Sequence, residues 1–375
     1  MEERQKPSQA EILTLKNLKV TFHTYVGDVK ALDGINLSVE RGEILGLVGE
    51  SGCGKSVTAL TIVGLLPPNA EVESGEVILD GNDLLIGKKE ELRLSRLRNV
   101  AIVFQDPMTY LNPVLTIGSQ ITEIITTDPE VFTRTLVKER LSQIGRLEAD
   151  GKSSRELLLE KRKLESALAK GKVGRRQLRR LAELYTESIL KLVKLPEAEH
   201  IFKMYPFELS GGMRQRAMIA MALVRRPKVL LADEITTALD VTVQAQILKL
   251  LLELKKKIDS SIVIITHDLG IVAEVCDRIA VMYAGNIVEV AEVNELFRNP
   301  LHPYTVGLLA AVPRADVRSS VLTSISGTVP NLISPPTGCR FHPRCPRAFD
   351  RCSVAKPPPV EVTPGHLVEC LLYGG

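Results

Sequence analysis

Eight residues from Gly49 to Ser56, Gly-Glu-Ser-Gly-Cys-Gly-Lys-Ser, have the types and spacing of a phosphate-binding loop, G-x-x-x-x-G-K-[ST]. Its glycines allow the backbone to turn so that successive N–H groups surround an anion. Lys55 then reaches the β- and γ-phosphates, and the Ser56 hydroxyl can meet Mg²⁺. Gly49, Glu50, Ser51, Gly52, Cys53, Gly54, Lys55, Ser56 and Val57 form the candidate nucleotide-binding set. Further on, the apolar run Val229 to Ala232 ends in Asp233-Glu234, adjacent carboxylates that point to opposite sides of an extended chain. Asp233 is placed to hold Mg²⁺ through its water shell, and Glu234 to polarise the water that attacks a γ-phosphate. Leu209-Ser210-Gly211-Gly212-Met213 opens an apolar helix, Ala217 to Val224, and sets a serine and two glycines at its positive end. That is a second terminus able to meet phosphate.

These groups need elements to position them. The run Ile44 to Val48 delivers the loop from a strand, and Val57 to Val63 continues it as a helix whose N-terminus faces the same phosphates. Val100 to Phe104, Val229 to Ala232 and Ile262 to Thr266 have the continuous aliphatic character of buried parallel strands, each ending at a polar residue. An α/β core with its chemistry at the strand C-termini follows. Ile12 to Phe22, Leu32 to Val39 and Gly75 to Gly81 alternate as antiparallel strands do, with turn-like Gly27-Asp28 and Asp33-Gly34 between them.

Between Arg134 and Lys194 the chain carries 17 Lys or Arg against 8 Asp or Glu, an excess of nine. Leu157, Leu164 and Leu168 share one helical face, and Leu178, Leu181, Tyr185 and Leu192 another, with Gly171 and Gly174 between. This predicts a basic helical hairpin. After about residue 290 Pro, Cys and Arg dominate, from Pro300, Pro303 and Pro313 to the triple Pro357-Pro358-Pro359, which predicts a separate, loop-rich tail. Over 375 residues, 45% hydrophobic and 25% charged content suits a globular chain, and +3 of net charge argues for no charged partner by itself. No apolar run is long enough to cross a bilayer, and Met1 to Lys6 lacks the apolar region of a signal peptide, so a cytosolic location is expected. In that compartment the four cysteines of the tail point to metal rather than disulfides.

Gly49 to Ser56, Gln105, Leu209 to Met213, Asp233-Glu234, Asp240 and His267, in that order, resemble the ATPase subunit of an ABC transporter, over essentially the whole chain. The resemblance implies a P-loop ATPase core (11–290) with an antiparallel β subdomain, a helical subdomain (about 107–227) carrying the basic insertion (about 134–194), and a metal-binding extension (291–375). It implies ATP and Mg²⁺, and two subunits closing head to tail so that ATP on Lys55 and Ser56 of one meets Ser210, Gly211, Gly212 and Met213 of the other. Gln105 matches the residue that touches Mg²⁺ and the attacking water, His267 the switch histidine on the γ-phosphate, and Asp240, within Thr237-Ala238-Leu239-Asp240, a loop linking the two sites. Phe22, with Tyr25 as the alternative, matches the aromatic that stacks on adenine. Ile235 stands where the family usually has proline, and Met213 where many members have glutamine.

The tail narrows the resemblance. Asn299-Pro300-Leu301-His302-Pro303-Tyr304-Thr305 and Gly338-Cys339-Arg340-Phe341-His342-Pro343-Arg344-Cys345-Pro346, followed by Cys352 and Cys370, are similar to the region after the core in dipeptide and oligopeptide importers. Four thiolates satisfy either Zn²⁺ or a [4Fe–4S] cluster. Their gaps of five, six and seventeen residues lack C-x₂-C knuckles, and Pro346 follows Cys345, which favours the cluster. The implied partners are a second, different ATPase subunit, two transmembrane permease subunits and, indirectly, an extracytoplasmic solute-binding protein, with the chain on the cytoplasmic face of the membrane. The basic stretch admits a soluble ATPase acting on nucleic acid or ribosomes as the alternative, but Tyr185 is its one central aromatic and the chain has a single phosphate loop, so no nucleic acid is expected.

Overall fold

The computed structural model describes residues 11–152, 154–170, 173–237, 239–258, 260–311 and 325–374. Gly171, Ala238, Pro313 and the stretch from Met1 to Lys6 lie outside them. The chain divides into two compact units. One comprises the described residues up to Val103, Pro227–Ile235 and those from Leu251 onward; the other comprises Phe104–Arg226 and Thr236–Leu250.

In the first unit, β1 (Glu11–Thr24), β2 (Gly27–Glu40), β3 (Ile44–Val48), β4 (Ala70–Leu79), β5 (Asn82–Asp83) and β6 (Val100–Val103) are followed by β7 (Val229–Asp233), β8 (Ser261–Thr266), β9 (Arg278–Tyr283), β10 (Asn286–Glu292), β11 (Val360–Thr363) and β12 (His366–Val368). An antiparallel sheet runs in the order β2-β1-β4-β5, and an eight-stranded mixed sheet in the order β11-β12-β10-β9-β3-β8-β7-β6. β3 and β8 are buried at every residue, which is why both read as unbroken aliphatic runs rather than alternating ones. Parallel pairing of β3 with β8, β8 with β7 and β7 with β6 brings their C-terminal ends to one edge. Leu13, Leu15, Val20, Leu37 and Val77 of the antiparallel sheet share a hydrophobic core with Leu45, Leu47, Leu231 and Ile265 of the mixed one.

Three expectations change. Gly27-Asp28 opens β2 rather than forming a turn, and Asp33-Gly34 lies inside it: Leu18 faces Ile35 and Lys19 faces Asp33, leaving Gly34 as an unpaired extra residue. Its φ of +75° suits glycine, so what reads as a turn signal is a bulge. The basic stretch forms three helices, α2 (Pro129–Ala149), α3 (Arg155–Lys170) and α4 (Arg175–Leu192), after α1 (Lys55–Val63) in the other unit. The apolar face of α4, with Leu178, Leu181, Tyr185 and Ile189, is buried, each side chain contributing about 1.5–3 kcal/mol relative to exposure. Arg140 of α2 grips Glu160 of α3 through two bonds of 2.8 and 2.9 Å. The helical unit continues with α5 (Gly211–Leu223) and the start of α6 (Val241–Lys257).

The tail is not separate. β12 pairs antiparallel with β10, and β11 with β12, so the tail completes the mixed sheet. Buried Glu289 on β10 accepts the N–H groups of Leu301 and His302 and bonds His366 of β12 at 2.8 Å. Phe341 packs edge-on against Tyr283 and Tyr304. With too little apolar material for a core of its own, the tail borrows that of the first unit.

Candidate active site

Where β3 ends, the phosphate loop turns into α1 through Gly54, whose φ is +110°. A Cβ there would stand 2.7 Å from the Met282 side chain and 3.0 Å from the Ala31 carbonyl oxygen, so the position admits glycine alone. Lys55 is buried, and its Nζ donates to the carbonyl oxygens of Gly49 at 2.8 Å and Glu50 at 3.0 Å. The ammonium is thus held against the same backbone whose N–H groups are to surround phosphate.

Two strands away, β7 ends at Asp233. Burial raises its carboxyl above the ordinary value, opposed by a hydrogen bond with the Ser56 side chain. Oδ1 of Asp233 is buried with no hydrogen-bond partner. A desolvated carboxylate oxygen beside a hydroxyl is an incomplete arrangement in a folded protein, and it suits a divalent cation with oxygen ligands. The residues present therefore fit Mg²⁺.

Glu234 adopts a left-handed φ of +47°, unusual for a residue with a Cβ. Its N–H donates to the Ile265 carbonyl at 2.9 Å, which holds the conformation. The parallel register pairs Asp233 with Ile265, and so brings Glu234 beside the residue that follows β8. Nδ1 of His267 lies 3.2 Å from Oε1 of Glu234. A carboxylate held by a histidine at a strand end beside a phosphate loop can take a proton from water. Tyr25, at the β1–β2 turn, is fully exposed, whereas Phe22 packs partly buried against the core.

The helical unit positions the remaining candidates. Ser210 caps α5, its Oγ accepting the Met213 N–H at 3.4 Å. A Cβ on Gly212 would stand 2.5 Å from Val243, so this end of α5 packs closely on α6. Oδ1 of Asp240 accepts the Val243 N–H at 2.9 Å and caps α6. Gln105 is exposed near the beginning of the unit, and Met108, Tyr110, Val114 and Leu115 after it are exposed as well.

In the tail all four cysteines are free thiols, with Cys352 and Cys370 buried. The Cys339 thiol is pushed up to about 11, foremost by burial and further by Cys370, Cys352 and Cys345 nearby. The Cys339 N–H donates to the Cys352 carbonyl at 2.9 Å. Among the described residues, no group of three or more His, Cys, Asp or Glu is arranged to hold a metal ion.

Sequence reading missed Arg344 as part of this site. Its guanidinium forks onto Glu50 of the phosphate loop, a contact across 294 residues for which no local pattern exists.

The family described as ABC transporter matches residues 32–237, and the one described as oligopeptide/dipeptide transporter, C-terminal region, matches residues 288–352. The oligopeptide transport ATP-binding protein OppD of Escherichia coli strain K12 is 44% identical over 361 residues, spanning 96% of this chain and 92% of that protein. The dipeptide transport ATP-binding protein DppD of Bacillus subtilis strain 168 is 42% identical over 363 residues, 96% and 95% of the two chains. Among solved structures, a dimeric bacterial ABC transporter cassette superposes with a TM-score of 0.54 at 26% identity, covering 75% of this chain and 98% of its own. The post-hydrolysis state of a dimeric cassette bound to ADP and Pi matches equally well.

Proposed function

The chain belongs to the ABC transporter ATPases, and on that premise we propose that it is the energy-coupling subunit of an importer for dipeptides or oligopeptides. ATP hydrolysis is its reaction. The observation that carries the assignment of parts is the meeting of Ser56 with Asp233 and of Glu234 with His267 along one sheet edge, beside Lys55.

In this reading the loop N–H groups and Lys55 bind the triphosphate, and Tyr25, the exposed aromatic, stacks on adenine. Ser56 and Asp233 hold Mg²⁺, joined by Gln105; the ion supplies positive charge against the phosphate oxygens. Glu234 accepts a proton from the attacking water, and His267 keeps its carboxylate oriented while hydrogen-bonding the γ-phosphate. Ser210, Gly211, Gly212 and Met213 complete the site of a partner ATPase, for which the dimeric cassettes offer a precedent. That partner is a different chain, and Asp240 links the two sites. The exposed apolar residues Met108, Tyr110, Val114 and Leu115 after Gln105 suit contact with permease subunits at the cytoplasmic face. No helix among the described residues is long and apolar enough to cross a membrane. A native pull-down from detergent-solubilised membranes is expected to recover two multi-span proteins and a second ATPase. Ribosomal proteins or nucleic acid in their place would overturn the importer assignment.

Cys339, Cys345, Cys352 and Cys370 hold a [4Fe–4S] cluster. Their mutual proximity without disulfides supports this reading. Protein purified without oxygen is expected to be brown, with about four irons per chain. A colourless, zinc-loaded protein would overturn the assignment.

A further inference from the structure

An acidic residue inside a phosphate-binding loop is a liability, because its charge opposes that of the ligand. Glu50 is such a residue. Its two carboxylate oxygens receive Nη1 and Nη2 of Arg344 at 3.0 and 3.2 Å, a bidentate fork that both neutralises the charge and fixes its direction. The Arg344 side chain is 7% exposed and that of Glu50 27%, so solvent screens the pair weakly.

Every nitrogen of this guanidinium is engaged. Nε donates to the Ser326 carbonyl at 2.9 Å, Nη1 also approaches the Tyr283 hydroxyl at 3.3 Å, and Nη2 the Ile325 carbonyl at 3.4 Å. Its Cζ lies over the Tyr283 ring, 5.6 Å from the centroid. Glu50 is tied at its other atoms too: its N–H donates to the Tyr304 hydroxyl at 3.0 Å, and its carbonyl accepts from Lys55. The backbone that directs Lys55 is therefore braced by two tail residues, Tyr304 and Arg344.

We infer that Arg344 is a positioning residue for ATP: through Glu50 it sets the geometry of the phosphate loop and cancels the one carboxylate the loop presents beside the triphosphate. The inference rests on ATP binding at Lys55 and not on the identity of the transported solute.

The test uses the full chain and titrates Mg-ATP in the ATPase assay, with thermal melting and iron content measured in parallel. Arg344→Ala is expected to raise the KM for ATP about tenfold or more, the loss of one charge-assisted pair, with kcat changed less than about twofold. Arg344→Lys keeps the charge without the fork and is expected to recover part of the affinity. Adding Glu50→Gln to Arg344→Ala removes the uncompensated carboxylate and is expected to lower KM again. An unchanged KM in Arg344→Ala, or a raised KM that Glu50→Gln fails to relieve, would overturn the inference. Should Arg344→Ala fail to fold, Arg344→Lys carries the decision: a KM equal to that of the unaltered chain refutes the role.

Discussion

Glu234→Gln is expected to lower the ATPase kcat by about 10²–10⁴-fold, the usual contribution of a general base, while ATP affinity stays within about twofold. Gln keeps the shape of Glu, and the backbone tie from the Glu234 N–H to Ile265 does not depend on the side chain. The strained φ of +47° should survive. What disappears is the carboxylate next to His267, the proposed proton acceptor. The measurement is single-site turnover with the partner subunit carrying the equivalent change, beside equilibrium binding of labelled ATP. Undiminished turnover would exclude Glu234 as the base. Loss of binding together with turnover would indicate a collapsed strand end instead.

Asp233→Asn should separate stability from activity. Burial raises the carboxyl of Asp233 in the fold, so the folded state prefers its protonated form. The sign follows from linkage: stability from this group is fully present below the unfolded value near pH 3.9 and is lost as pH rises through the raised folded value. Above that raised value the ionised, partly orphaned carboxylate is therefore a net cost. Asn removes that charge, and the nucleotide-free variant is expected to melt a few degrees higher at pH 7, with the gain shrinking as pH falls toward 4. Turnover with Mg-ATP is expected to drop on the order of 10²-fold or more, since the carboxylate proposed to hold Mg²⁺ is gone. Stabilisation of the unaltered chain by Mg-ATP should exceed that of the variant. A variant that melts lower at pH 7 would contradict the account of Asp233 as strained by burial.

Much of this site was legible because its groups are local. Glycines, lysine and serine lie within eight residues, and Asp233-Glu234 and His267 each close a strand whose aliphatic run announces it. Side-by-side placement of those strand ends follows from parallel pairing, which the runs imply but do not order. The illegible parts are those decided by distant chain. The Gly34 bulge depends on how β2 registers with β1, and a bulge shares its residue preferences with a turn. The first helix of the basic stretch, α2, buries Phe132, Leu136, Val137 and Ile144 but starts at Pro129, ahead of the basic run, which hid it beside α3 and α4. The tail reads as independent from its composition, yet two short strands and a ring cluster join it to the first unit. Arg344 reads as one more surface cation until folding sets it on Glu50.

The docking of β12 on β10 also bears on how the chain avoids its own kind. A mixed sheet that stopped at β10 would present a seven-residue strand, buried along six of its residues, with a free row of N–H and C=O groups, an invitation to pair with a second molecule. Instead the sheet closes with β11, four residues long and carrying the exposed Glu361 and Thr363. Pro357-Pro358-Pro359 comes immediately before it and supplies no N–H for another strand to use. A chain that leaves apolar residues such as Val114 and Met108 exposed gains from a sheet edge that offers a stray strand little to extend.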